Sequence, residues 1–410
     1  MKTITMLLKS QIKDAFLAQQ VEFAQSKALI NRDILQSYQP THSHIEVITG
    51  VRRCGKSSLV RQIKGCFYEN AMYLNFEDAR IFGFDTADFS KLDEITHGQY
   101  DAYFFDEIQN VPSWELYIRQ LHERNAKVYV TGSNASLLSK ELGTRLTGRH
   151  VRLELFPFSY TEYLTFTEQD AAPNSLQKYL NAGGFPEYLS DPRIDILQNL
   201  LKDIVLRDIA IRYGIRNTEG LMDLTLYLLS NLGKEFSFNG LRKLLSMAST
   251  NTVADYMNWL ADTYLLYYLP RFSWSAKSRA VLPRKVYAID NGLAAANTLS
   301  FSEDRGRMLE NLVLQYLNRR FSQFYYFKEE KECDFVVLEQ GNCIHTIQVC
   351  YEVHADNQQR EIAGLVEAMH FFHLNKGIIV TFDQEDQLQI QGKEVQLIPA
   401  WKFLEQDLLV

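Results

Sequence analysis

The sequence predicts an α/β chain. A parallel sheet wrapped in helices comes first, then a helical middle region with a small strand pair, then a second α/β region. Three observations predict it. Between residues 45 and 155, short apolar runs alternate with helix-period segments, the pattern of a parallel sheet covered on both faces. A glycine-framed loop joins the first of these runs to the helix that follows. From about residue 220, three helical segments lead into the apolar run Tyr264–Leu269, which suits a strand pair and suggests a winged helix.

Taken in order, residues 1 to about 38 read as helical, with Ile12, Phe16, Val21 and Phe23 set among charged and amide residues as far as Gln39-Pro40-Thr41. Strands are expected at 45–49, 72–76, 102–105, 127–131 and 151–155, and Phe156-Pro157-Phe158-Ser159 closes that series. Residues 174–214 read as helical, interrupted by Gly183-Gly184-Phe185-Pro186. Helices at 220–232, 238–247 and 249–262 make up the middle region. Beyond it, strands at 286–289, 324–327, 333–338, 344–349 and 377–381 mix with helices at 304–321 and 358–373. The expected division is 1–39, 40–160, 161–217, 218–284 and 285–410.

Hydrophobic residues make up 46% of the chain and aromatic residues 12%, ample for two or three cores. A formal charge of −7 argues against a chain coated in positive charge for bulk nucleic-acid binding. There is no run of about 18 apolar residues to span a membrane, and the first residues do not read as a signal peptide. The five cysteines form no C-x-x-C pair, which fits reduced thiols and a cytoplasmic protein.

The loop Gly50-Val51-Arg52-Arg53-Cys54-Gly55-Lys56-Ser57 fits the G-x-x-x-x-G-K-[ST] phosphate-binding pattern at every fixed position. Two glycines let the backbone turn so that N–H groups converge on one anion. Lys56 adds a positive charge at the β- and γ-phosphates, Ser57 offers a hydroxyl to Mg²⁺, and the helix that starts here adds its N-terminal dipole. Gly50, Arg53, Cys54, Gly55, Lys56, Ser57 and Ser58 are the expected nucleotide contacts. The expected cofactors are ATP and Mg²⁺.

The run Tyr103-Phe104-Phe105 delivers two adjacent carboxylates, Asp106 and Glu107, at a strand's C-terminal edge, where α/β sheets place their ligands. Asp106 is expected in the Mg²⁺ shell and Glu107 at the attacking water. The next strand ends Thr131-Gly132-Ser133-Asn134, where Asn134 or Ser133 is a candidate to touch the γ-phosphate; helix capping is the alternative for Asn134. Arg145 and Arg149 are candidates to reach a neighbouring copy's γ-phosphate, against the alternative of plain surface arginines. Cys54 lies inside the loop, where it reads first as a small residue that fits; the helix dipole and Lys56 should also favour a thiolate, whose alkylation is expected to block nucleotide binding.

These motifs, with Phe105–Val111, Leu146-Thr147-Gly148-Arg149, Pro157-Phe158-Ser159-Tyr160 and Gly183–Glu187, occur in an order that resembles the bacterial and archaeal AAA-type ATPases with a C-terminal domain of unknown function. The resemblance covers essentially the whole chain. It implies a P-loop NTPase (AAA-like) core, a winged-helix middle region, and a C-terminal α/β domain like the PD-(D/E)xK nuclease fold.

In that nuclease-like fold, clustered carboxylates hold Mg²⁺ and a lysine serves the water or the phosphate. The matching positions here are Glu310, Asp334, Gln348 and Cys350. Gln348 stands where a carboxylate is usual and Cys350 where a lysine is usual, so a nuclease fold without nuclease activity is expected. For DNA, the helix at 249–262 carries no Lys or Arg. The candidate contacts are Arg271, Lys277, Arg279, Arg284 and Lys285, with Trp274 among them. Two functions follow, with an active Mg²⁺ nuclease as a weaker third. One is an ATPase whose nucleotide state repositions the later domains on a nucleic-acid or protein partner. The other is a slow ATP-dependent switch that acts through protein contacts alone. Self-association is compatible with both.

Overall fold

The computed structural model describes residues 7–25, 30–41, 43–96, 100–133, 148–298, 304–406 and 409. Asn134 and Arg145 lie outside the described residues. The chain divides into two compact units, Met1–Phe156 and Pro157–Val410.

The first unit holds helix α1 (Lys9–Ala24), then strand β1 (Ile45–Thr49) and helix α2 (Lys56–Phe67). Strand β2 (Ala71–Asn75), helix α3 (Asp88–Thr96), strand β3 (Ala102–Asp106), helix α4 (Glu115–Glu123), strand β4 (Lys127–Gly132) and strand β5 (His150–Glu154) follow. The sheet order is β2-β3-β4-β1-β5, and every neighbouring pair is parallel. Each residue of β1 and β3 is buried, because helices cover both faces and the strands read as continuous apolar runs. Ile12, Ala15 and Phe16 of α1 pack in the same core as Val47, Leu74 and Phe105 of the sheet. The helix expected over residues 1–38 is shorter than the pattern suggested. α1 is followed, across residues outside the description, by a 3-10 turn at Asp33–Gln36.

The second unit opens with helices at Tyr160–Thr167, Pro173–Ala182, Pro186–Ser190, Ile194–Lys202 and Thr218–Leu229. Ser159 and Glu162 cap the first of them reciprocally, a local sequence signal for its start. Next come β6 (Glu235–Phe236), helices Phe238–Leu244 and Thr250–Asp262, β7 (Leu266–Pro270), helix Ala276–Val281 and β8 (Arg284–Ala288).

The run at 264–269 is one strand, not a pair. Tyr264 takes a left-handed φ of 63° as the preceding helix ends, and β7 finds its partner in β8 beyond the intervening helix. β8 also pairs with β6, so residues 285–288 belong to this small antiparallel sheet. The helix Arg305–Arg320 precedes a six-stranded mixed sheet, order β13-β14-β12-β11-β10-β9. Its strands are β9 (Phe324–Lys328), β10 (Glu332–Glu339), β11 (Asn342–Val349), β12 (Lys376–Thr381), β13 (Asp386–Ile390) and β14 (Lys393–Pro399), with the helix Gln358–Phe371 after β11. Among the described residues, no helix is long and apolar enough to cross a membrane.

Candidate functional site

The loop between β1 and α2 lies against the end of β5. A Cβ at Gly50 would stand 2.1 Å from the carbonyl oxygen of Leu155, so only glycine permits this approach. Gly55, with φ of 103°, turns the chain into α2, whose first residues are Lys56, Ser57 and Ser58. The Lys56 side chain is buried; its Nζ donates to the carbonyls of Gly50 (3.1 Å) and Val51 (3.2 Å) and lies 3.7 Å from Glu107 Oε1. Burial works against its charge, but the Glu107 and Asp106 carboxylates raise its proton affinity and keep it an ammonium.

Arg32, which the sequence reading passed over, is buried beside this loop. It donates to the Cys54 carbonyl (2.9 Å) and to the Phe156 carbonyl (2.7 Å). Arg53 holds a positive φ of 63° within the loop.

The sheet order places β4 between β1 and β3, and this brings Thr131 beside Asp106. The Thr131 hydroxyl donates to Asp106 Oδ1 and accepts from the Glu107 N–H (3.0 Å). The Tyr73 hydroxyl on β2 donates to Asp106 Oδ2 at 2.8 Å. Asp106 is therefore buried and held on both oxygens. Glu107 has a left-handed φ of 52°, and Gln109 Nε2 donates to its Oε2. Burial, with the Asp106 charge, pushes the Glu107 carboxyl above the ordinary range; Lys56 and Gln109 oppose that. A carboxylate so placed takes up a proton more readily than a solvated one.

Neither Thr131 nor Tyr73 was singled out from the sequence. A lone hydroxyl near the end of the apolar strand at 127–131 was the available signal for Thr131. Tyr73 gives none, since its role depends on β2 pairing with β3.

The donor set fits a nucleotide with Mg²⁺. The glycine-framed loop, Lys56 and the N-terminus of α2 suit phosphate, and the Ser57 hydroxyl and Asp106 carboxylate are hard oxygen ligands. Cys54 departs from expectation. It is fully buried, and burial pushes its thiol up in spite of Lys56 and Arg32, so it is not a reactive thiolate. Arg149 is exposed ahead of β5, 3.8 Å from Glu123. Ser133 is buried at the end of β4.

In the second unit, Glu310, Asp334, Gln348 and Cys350 line one cavity of about 600 Å³. The sequence reading missed the cation that pairs with two of them. Lys285 Nζ, from β8, stands 3.2 Å from Glu310, 2.8 Å from Glu332 and 3.1 Å from Asp334. Lys285 is buried, so its reading as a DNA contact is corrected: its charge is enclosed by three carboxylates. A cation from β8 is thus already paired with Glu310 and Asp334, two of the four positions.

Tyr287 donates to Glu310 (2.6 Å), the Val349 N–H to Asp334 (3.0 Å), and Gln348 Nε2 to Glu361 (2.9 Å). Burial and the neighbouring Glu310 push Asp334 up to about 7, against the pull of Lys285. Of the other basic candidates, Arg271 donates to the Lys328 carbonyl and Arg279 to the Ser273 carbonyl, while Lys277 is exposed and Arg284 half-buried.

Residues 42–164 match the family described as an AAA domain. Residues 173–324 and 305–403 match two families described as domains of unknown function, DUF8612 and DUF4143. An uncharacterized protein of Methanocaldococcus jannaschii is 32% identical and covers 98% of this chain and 97% of its own length. An uncharacterized protein of Haemophilus influenzae is 30% identical over 92% of this chain and 99% of its own.

Among solved structures, Cdc6p from Pyrobaculum aerophilum overlaps 73% of this chain and 94% of its own, at 12% identity and a TM-score of 0.27. The Hsp104–ADP complex of S. cerevisiae overlaps 74% and 46%, at 13% identity and a TM-score of 0.30. The near full-length identity to the archaeal relative decides the matter: the chain belongs to the family of these uncharacterized proteins, and its first unit carries an AAA-type P-loop domain.

Proposed function

We propose that the chain binds ATP with Mg²⁺ at Gly50–Ser57 and hydrolyses it to ADP and phosphate. One observation carries this reading: Glu107 stands beside the Lys56 ammonium, 3.7 Å away, with its carboxyl raised in proton affinity by burial. Lys56, released from the loop carbonyls, neutralises charge on the γ-phosphoryl group. Glu107 takes a proton from the water as its oxygen bonds to the γ-phosphorus and the bond to the β-phosphate oxygen breaks. Bound Mg²⁺, held through Ser57 and Asp106, supplies charge neutralisation on the phosphates. Arg149, exposed on the surface, serves a neighbouring copy's nucleotide if the chain assembles, and Asn134 is the candidate contact to the γ-phosphate.

The nucleotide state then acts on the second unit. We read its middle helices and small sheet as a winged helix and its large sheet as a nuclease-like fold without nuclease activity. The enclosure of Lys285 by Glu310, Glu332 and Asp334 supports that last point: the carboxylates that a metal would need are already paired with an internal ammonium. It also favours a protein partner over DNA, since it removes a cation from the surface.

ATP binding and turnover test the central reading. Lys56→Ala should abolish binding, while Glu107→Gln should bind ATP and lose turnover by about 100-fold or more. Equal turnover by wild type and both variants sinks it.

A further inference from the structure

We propose that Gln109 is a positioning residue for Glu107, fixing the carboxylate in the orientation that hydrolysis uses; this rests on the reading of Glu107 as the base. Four observations converge on it. Glu107 is a non-glycine residue in the left-handed region, φ 52°, a costly conformation that persists only where neighbours impose it. The Thr131 hydroxyl accepts its N–H and so fixes the backbone. That contact leaves the side chain unset, and Gln109 sets it, since its Nε2 donates to Glu107 Oε2.

The geometry behind that hydrogen bond is local and firm. Glu107 caps a 3-10 turn at Ile108–Asn110, which folds the chain back so that residue 109 faces residue 107. Buried Ile108 and Val111 anchor the turn on either side of Gln109. The fourth observation separates this glutamine from a structural one. Its Oε1 is buried and meets no donor among the described residues, a cost that packing alone would not select. A glutamine selected only for packing is replaced at no loss by an apolar residue of the same length. One that holds a carboxylate in place is not.

Glu107 thus has one oxygen toward Lys56 and the other on Gln109. When Lys56 moves to phosphate, the hydrogen bond from Gln109 is the one that remains on the carboxylate. Losing it frees the side chain to rotate away from the water, which costs rate and leaves nucleotide binding intact.

The test is a double-mutant cycle on the full chain, with ATP turnover, ATP affinity and melting temperature measured on each protein. Gln109→Met keeps the length and removes the amide; Gln109→Ala is read in the same cycle should the Met variant melt early. We expect kcat to fall about tenfold or more, with ATP Kd unchanged. In the Glu107→Gln background we expect the second substitution to cost nothing further, because the two residues act as one unit.

Wild-type turnover with Gln109→Met at the wild-type kcat overturns the inference and leaves the Glu107 reading standing. So does a loss that persists in full without Glu107. Turnover by wild type and Glu107→Gln at the same rate overturns the Glu107 reading, and this inference with it.

Discussion

At the scale of single residues, the first unit is organised by one hydroxyl. Thr131 serves the Asp106 carboxylate and the Glu107 N–H together, so it ties the two adjacent acidic residues to one strand end. Thr131→Val keeps the shape and removes both contacts. It should lower stability by about 1–3 kcal/mol, because buried Asp106 loses a donor and the part-buried Glu107 N–H loses its acceptor. Urea unfolding read beside ATP turnover checks it, and an unchanged midpoint would show that Thr131 only fills space. Cys54 teaches the converse. Its place in the loop suggested a thiolate, but reactivity depends on exposure and solvation, and burial decided against it. Sequence position names a residue's neighbours along the chain, not its distance from water.

At the scale of elements, strand order does what no single segment can. β4 lies between the phosphate-loop strand and the carboxylate strand, and Thr131 reaches Asp106 for that reason. In the second unit, β8 turns Lys285 inward among residues of the helix Arg305–Arg320 and of β10.

This cluster carries a pH signature. Asp334 titrates at about 7 in the folded chain and near the ordinary aspartate value of about 4 when unfolded. Between those values the folded state binds more protons, so the contribution of Asp334 to stability is present at low pH and is lost as pH rises through 7. Asp334→Asn mimics the protonated acid and should flatten the fall of melting temperature between about pH 4 and 7. Parallel slopes for wild type and variant would show that Asp334 is ionised across that range.

At the scale of the whole molecule, charge bears on the partner. The formal charge is −7. Of the five basic residues between 271 and 285, Lys285 is enclosed, and Arg271 and Arg279 are bound to backbone carbonyls. Lys277 and Arg284 are then the cations least engaged in that stretch, too few for the phosphate contacts of a firm duplex complex. Labelled duplex DNA at about 0.1 M salt should therefore show no saturable binding, and ATP turnover should not respond to it. A salt-dependent Kd lost on replacing Lys277 and Arg284 by Ala would restore the DNA reading.

The sequence by itself determined the alternating α/β plan of the first unit, the loop Gly50–Ser57, and Asp106 with Glu107 at a strand end. These are local patterns: glycine spacing, apolar runs and adjacent carboxylates survive without knowledge of what packs where. The tertiary structure alone decided what Thr131, Tyr73, Arg32 and Lys285 do. Each acts across a strand or loop distant in sequence, and its partners are set by strand order and burial. The same reason explains the thiolate hypothesis for Cys54 and the DNA reading of Lys285. Cys54 and Lys285 were judged by their neighbours in sequence, whereas solvation and long-range charge govern a thiol and an ammonium.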